Sequence, residues 1–171
     1  MKPLLEKLVH RQDLSQQQAC ALFRQVMSGQ VPEPVIAAVL TALACKGETP
    51  DELAGAAQAM RERVTPVRCP PGVEPIDTCG TGGDAISTFN VSTAAAIVAA
   101  TAGATVAKHG NRTNPRASGS AEVLQALGVN IDADVPVVER CLAEARIGFL
   151  FAVKLHPAMK YAAPVRRALG I

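Results

Sequence analysis

The stretch PVRCPPGVEP, residues 66–75, carries four prolines. Proline has no amide hydrogen to donate, and it biases the preceding residue away from helix, so neither a helix nor a central strand runs through such a segment. The apolar pattern must therefore be satisfied separately on its two sides. This predicts a helical domain over 1–65, a linker over 66–75 and an α/β domain over 76–171.

On the first side the period is helical. Ala19, Leu22, Phe23, Val26 and Met27 recur as one helix face, and Ser15 with Gln18 has the spacing of a capping box. A second face is formed by Val35, Ile36, Val39, Leu40 and Leu43, with Gly47 where a C-cap belongs. A third starts at TPDE: Thr49 caps, Pro50 suits the first helical position, and Glu52 reaches back. Its apolar positions are Leu53, Ala56, Ala57, Met60 and Val64. These short helices make a helical module with a small core.

Beyond the prolines, short apolar runs alternate with helical stretches, the texture of βαβ units. Strands are expected near Ile76 to Cys79, Thr105 to Lys108 and Gly148 to Val153. Helices are expected over 92–102, ended by Gly103, over 119–127, ended by Gly128, and over 135–145, capped by Asp134. The connections imply a parallel sheet with right-handed crossovers. A sheet this narrow leaves an edge unpaired, so further chain or a partner is expected to cover it.

Composition removes several function classes. Seventeen Lys and Arg against fifteen Asp and Glu give a net charge of +2, too small a field to draw in nucleic acid or a membrane surface. No apolar run reaches the roughly 18 residues of a membrane helix, and MKPLLEKLVHRQ lacks a signal-peptide core, so a cytoplasmic location is expected. Cys20, Cys45, Cys69, Cys79 and Cys141 are odd in number, scattered and without a C-x-x-C pair, which argues against both a disulfide framework and a zinc site. One tyrosine and no tryptophan leave few platforms for stacking bases.

The chemistry lies at the carboxyl ends of the expected strands, where open parallel sheets bind ligands. After the first comes GTGGD, whose glycines let backbone N–H groups approach a phosphate, and then NVST, which opens a helix and offers hydroxyls and free amides to an anion. After the second comes KHGNR, grouping Lys108, His109, Asn111 and Arg112. A cationic cluster facing an N–H cradle suits a multiply charged phosphate ester. A structural turn or a capped helix explains either loop singly; their joint occurrence favours phosphate. The P-loop ending and the dinucleotide GxGxxG spacing are both absent.

GTGGD, NVST, KHGNR, GSAEVLQALG and HPAMKYAAPVRRALG, in this order, resemble the anthranilate phosphoribosyltransferase family over about the first half of its pattern. The resemblance implies a helical domain followed by the first part of a nucleoside phosphorylase/phosphoribosyltransferase-like α/β domain. It implies transfer of phosphoribosyl from phosphoribosyl pyrophosphate to anthranilate in tryptophan biosynthesis, with Mg²⁺ as cofactor. It also implies a homodimer formed through the helical domain, with no nucleic-acid or membrane partner.

Carried over by position, the resemblance puts the diphosphate against Gly80, Gly83 and Asp84, with Thr88 nearby, and against Asn90, Val91, Ser92 and Thr93. Lys108, His109, Gly110, Asn111, Arg112 and Ser120 complete that site, and Ser92 also ligates Mg²⁺. Gly80, Asn111 and Arg166 match positions that hold anthranilate, Arg166 facing its carboxylate; His109 and His156 line the route to it. No catalytic base is implied: an aromatic amine is neutral at pH 7, and the main task is stabilising the leaving pyrophosphate, here by Lys108 and Ser92.

Two departures stand out. Where the family typically reads SVSSKS after KHGNR, this chain reads TNPRAS, with Pro115 and Arg116 in place of hydroxyl-bearing and flexible residues. The acidic Asp-Glu pair that holds Mg²⁺ in the family is expected beyond these residues. Two other readings are open: a related nucleoside phosphorylase, predicting orthophosphate and nucleoside binding, and a non-catalytic nucleic-acid-binding paralogue, predicting salt-dependent affinity.

Overall fold

The computed structural model describes residues 1–80, 89–112 and 119–170. By their contacts these form two compact units: Met1–Val64 with His156–Ile171, and Thr65–Leu155.

The first unit is helical, with α1 (Lys2–Val9), α2 (Gln16–Val26), α3 (Glu33–Lys46) and α4 (Pro50–Arg61). Both expected capping boxes form: the Ser15 hydroxyl accepts from the Gln18 amide at 3.3 Å, and the Thr49 hydroxyl from the Glu52 amide at 3.3 Å. Gly47 ends α3 with φ 87, a conformation that favours glycine. Leu8, Leu14, Ala19, Leu22, Val39 and Leu43 make the main core.

The buried face of α4 is not the expected one. Leu53 is 59% exposed, whereas Glu52, Gly55 and Ala59 are buried. The cause is close approach to α2: a Cβ on Gly55 would lie 2.4 Å from the Gln16 carbonyl oxygen and 2.8 Å from the Cys20 nitrogen. These are backbone atoms that no rotamer change can move aside. Gly55→Ala is therefore expected to destabilise the unit by about 2 kcal/mol, exceeding the roughly 1 kcal/mol it gains in helix propensity. Amide exchange in α2 and α4 should speed up while that of the second unit stays unchanged.

The last segment also belongs here by packing. Expected as part of the domain over 76–171, it forms a 3₁₀ turn, Pro157–Tyr161, and a helix, Ala163–Leu169. Ala162 and Val165 are buried against Val26 and Ile36, because these apolar positions find their cover on α2 and α3.

The second unit contains α5 (Val91–Thr101), β1 (Val106–Gly110), α6 (Ser120–Ala126), α7 (Val135–Glu144), β2 (Ile147–Phe151) and α8 (Ala152–Leu155). β1 and β2 pair in parallel, Val106 opposite Ile147 and Gly110 opposite Phe151. Gly103 and Gly128, at φ 103 and 85, follow α5 and α6 as expected. Residues 66–75 form neither helix nor strand.

Three local expectations change. The strand at Ile76 to Cys79 is reduced to a single parallel bridge, Ile76 to Val106. The ladder stops because the His109 amide, next in line to pair with it, donates at 3.2 Å to the Asp77 carboxylate. Second, Lys108, His109 and Gly110 lie within β1, so only Asn111 and Arg112 of KHGNR follow the strand. Third, Asp134 sits at the N-cap of α7 without capping it by its side chain. Its carboxylate is drawn to the Lys154 ammonium at 2.8 Å, an opposite charge outcompeting neutral amides. Among the described residues no helix is long and apolar enough to cross a membrane.

Candidate functional site

Side chains alternate across extended backbone, so the parallel bridge at Ile76 and Val106 sorts the residues that follow onto two faces. Thr78 and Lys108 point to the side of α5, where both contact Ser92. Asp77, Cys79 and His109 converge on the other side.

On the α5 side the NVST residues are tightly organised. The Asn90 side chain accepts from the Thr93 amide at 3.0 Å, capping the helix, and from the Ser92 hydroxyl at 3.2 Å. Thr78 donates its hydroxyl proton to the Ser92 carbonyl at 2.8 Å. Lys108 Nζ donates to Ser92 Oγ at 3.2 Å. Helix capping accounts for Asn90, but it does not account for Lys108.

Lys108 is 1% exposed and is the largest of the fully buried side chains. None of the ion pairs among the described residues includes it. Burial pulls its ammonium below the usual lysine range, while the Asp77 carboxylate and, once ionised, the Cys79 thiolate pull the other way. An ammonium held inside a protein against one hydroxyl is costly unless an anion joins it. Beside it Thr93, 1% exposed, has a buried hydroxyl oxygen with no partner among the described residues. A cavity of about 200 Å³ next to both is lined chiefly by apolar side chains such as Ala96, Leu124 and Phe149, which does not suit a diphosphate.

The two glycines at the strand ends differ. Among the described residues, a Cβ on Gly80 would meet nothing within 4 Å. A Cβ on Gly110 would lie 2.7 Å from the Phe149 ring and 3.0 Å from the Ser120 Cβ, so Gly110 is required by packing and brings Ser120 beside the strand end. Asn111 accepts from the Arg112 amide at 2.8 Å. The Arg112 guanidinium donates to Gln125 at 3.2 Å and lies 6.0 Å from the centre of the Phe151 ring, so it is steered rather than loose.

Gly80, Asn90, Val91, Ser92, Thr93, Lys108, His109, Gly110, Asn111, Arg112 and Ser120 thus all belong to the second unit. Arg166, exposed on the last helix, and His156 belong to the first. Gly83, Asp84, Thr88, Pro115 and Arg116 lie outside the described residues. Sequence reasoning passed over Asp77, whose carboxylate accepts from the Cys79 amide at 2.9 Å as well as from His109. The available signal was an aspartate at a strand end that can bond its own backbone two residues on.

Comparison with known proteins decides the family. Residues 72–171 match the α/β domain of a glycosyl transferase family, and residues 2–64 match the helical bundle domain of that family. The chain belongs to the glycosyl transferase family. Among its relatives, the anthranilate phosphoribosyltransferase of Herpetosiphon aurantiacus is 57% identical over 164 residues, 96% of this chain and 48% of that protein. The crystal structure of the anthranilate phosphoribosyltransferase of Thermus thermophilus superposes with a TM-score of 0.86 at 40% identity, covering 98% of this chain and 51% of that one. The Saccharomyces cerevisiae enzyme in complex with phosphoribosyl pyrophosphate and Mg gives 0.87 at 27% identity, covering 99% and 51%. The chain spans about half the length of the curated relatives it matches. The fold class read from the motifs, a helical domain followed by a small parallel α/β domain, is that of these family members.

Proposed function

We propose that this chain supplies the phosphoribosyl pyrophosphate site of an anthranilate phosphoribosyltransferase. The observation that carries the reading is the buried Lys108, which no carboxylate pairs among the described residues and which stands over Ser92 at the capped start of α5. The leaving pyrophosphate is the anion that compensates such a charge. Lys108 neutralises it, the Gly80 backbone adds an N–H donor, the positive end of the α5 dipole favours its charge, and the Thr93 hydroxyl offers a further proton.

Mg²⁺ fits this donor set. The Ser92 hydroxyl gives its proton to Asn90 and one lone pair to Lys108, which leaves a lone pair for a hard cation. Such an ion takes few protein ligands and fills its shell with water and phosphate oxygens. Bound there, Mg²⁺ would withdraw charge from the departing diphosphate. The yeast complex with phosphoribosyl pyrophosphate and Mg supports this assignment.

The same reading assigns anthranilate to Gly80, Asn111 and Arg166, with Arg166 holding the carboxylate. A yeast variant structure with 4-fluoroanthranilate supports an aromatic carboxylate as the acceptor substrate. Gly83, Asp84 and Thr88 would extend the diphosphate site, and His109 and His156 the acceptor's route. A cytoplasmic homodimer formed through the helical domain completes the proposal.

Calorimetric titration of phosphoribosyl pyrophosphate with Mg²⁺ into the chain tests it. Saturable heat at one equivalent is expected; silence from a folded chain would overturn the reading. Arg166→Ala should weaken anthranilate by about tenfold or more while sparing the diphosphate; equal loss of both would remove Arg166 from its assigned role.

A further inference from the structure

We propose that Asp77, Cys79 and His109 form a binding site for a zinc-class divalent ion, on the face of the sheet opposite Lys108. One ligand atom from each of the three residues lies within 4.8 Å of the others. Ligand bonds of about 2.0 to 2.3 Å in a tetrahedral site separate the donors by roughly 3.3 to 3.8 Å, so binding needs them to close by only about 1 Å.

The convergence follows from the backbone. Asp77 and Cys79 are two residues apart on extended chain and share a face, and parallel alignment with β1 brings His109 onto the same face. The Asp77 carboxylate is further held by the amides of the other two residues, at 2.9 and 3.2 Å. A carboxylate fixed by its fellow ligands is partly organised before any ion arrives.

The donor set selects the ion. One thiolate, one imidazole and one carboxylate are too soft for Mg²⁺ or Ca²⁺ and suit Zn²⁺ or Co²⁺. Asp77 and Cys79 are exposed and His109 is half-buried, which leaves a path for entry and a fourth position for water. On binding, the Cys79 thiol gives up its proton to solvent, and its hydrogen bond to the Asp77 carboxylate is replaced by the bonds of both residues to the ion.

The ion would do structural work. Beyond Ile76 the ladder to β1 is missing, and the three ligands span that gap. An ion there clamps the segment leading into Gly80 to the end of β1, so it should stabilise the second unit as a ligand of the folded state.

The test is Co²⁺ titration of the reduced chain, read by thiolate-to-cobalt charge-transfer absorption in the near ultraviolet. One equivalent is expected to develop the band, and excess Mg²⁺ should not remove it. Cys79→Ala should abolish it, Asp77→Asn and His109→Ala should weaken binding by about tenfold or more, and Cys45→Ala and Cys69→Ala should leave it intact. On the unaltered chain, Zn²⁺ should slow mass-mapped iodoacetamide labelling of Cys79 by about tenfold or more while exposed Cys45 labels at its former rate. No band, a band that survives Cys79→Ala, or equal labelling of Cys79 with and without Zn²⁺ would overturn the proposal.

Discussion

Glu52→Ala is expected to cost the helical unit about 3 kcal/mol, measured by urea unfolding near pH 7. Glu52 is 1% exposed and satisfies three donors from different parts of the unit. One oxygen accepts from the Leu14 amide at 2.9 Å; the other accepts from the Thr49 amide and from Lys46 Nζ, each at 2.9 Å. Truncation leaves two amides without their acceptor and takes the buried carboxylate from the Lys46 ammonium, which keeps only Asp13 and the Gly47 carbonyl. Glu52→Gln should rescue little, because its amide nitrogen would face a donor in either orientation.

The same network sets an acid limit. Burial by itself would raise the Glu52 carboxyl, but the Leu14 and Thr49 amides and Lys46 outweigh it and hold the group below the usual carboxylate range. With the folded value depressed, its contribution is fully present above the unfolded value of about 4.3. It is lost as pH falls through the folded value. Unfolding stability of the unaltered chain should therefore drop with acid in that range, and the Glu52→Gln chain should show a shallower drop. Parallel slopes in the two proteins would remove Glu52 as the origin.

Lys108→Met is expected to move binding and stability in opposite directions. Methionine matches the length of the buried stem and removes a charge that the described residues do not pair, so stability should stay level or rise. Affinity for phosphoribosyl pyrophosphate should fall on the order of 100-fold, the loss of a charge-assisted contact in a site shielded from water. Calorimetry and thermal unfolding on the same preparations separate the outcomes. A variant that loses stability while keeping affinity would make Lys108 a structural residue and sink its role toward the diphosphate.

Much of this could be read in order along the chain. The capping boxes at Ser15 and Thr49 and the glycines at 47, 103 and 128 depend on neighbours in sequence. The ordered motifs were enough to point to the family. Each is a property of a few consecutive residues, and local backbone chemistry is the same wherever the segment lies.

Only the tertiary structure decided which chemistry those residues face. Hydrophobicity placed Leu53 inside α4, yet the close approach of α2 selected Gly55 and Ala59, because small side chains let two backbones meet. Asp77 replaced a ladder bond through a hydrogen bond to an amide 32 positions away. Lys108 reads in sequence as one of the cations of KHGNR suited to a phosphate; only the packing of α5 and its neighbours over β1 removes it from water. Burial, and the anion that burial calls for, are set by which distant residues come together, and a sequence of local signals does not contain that distance.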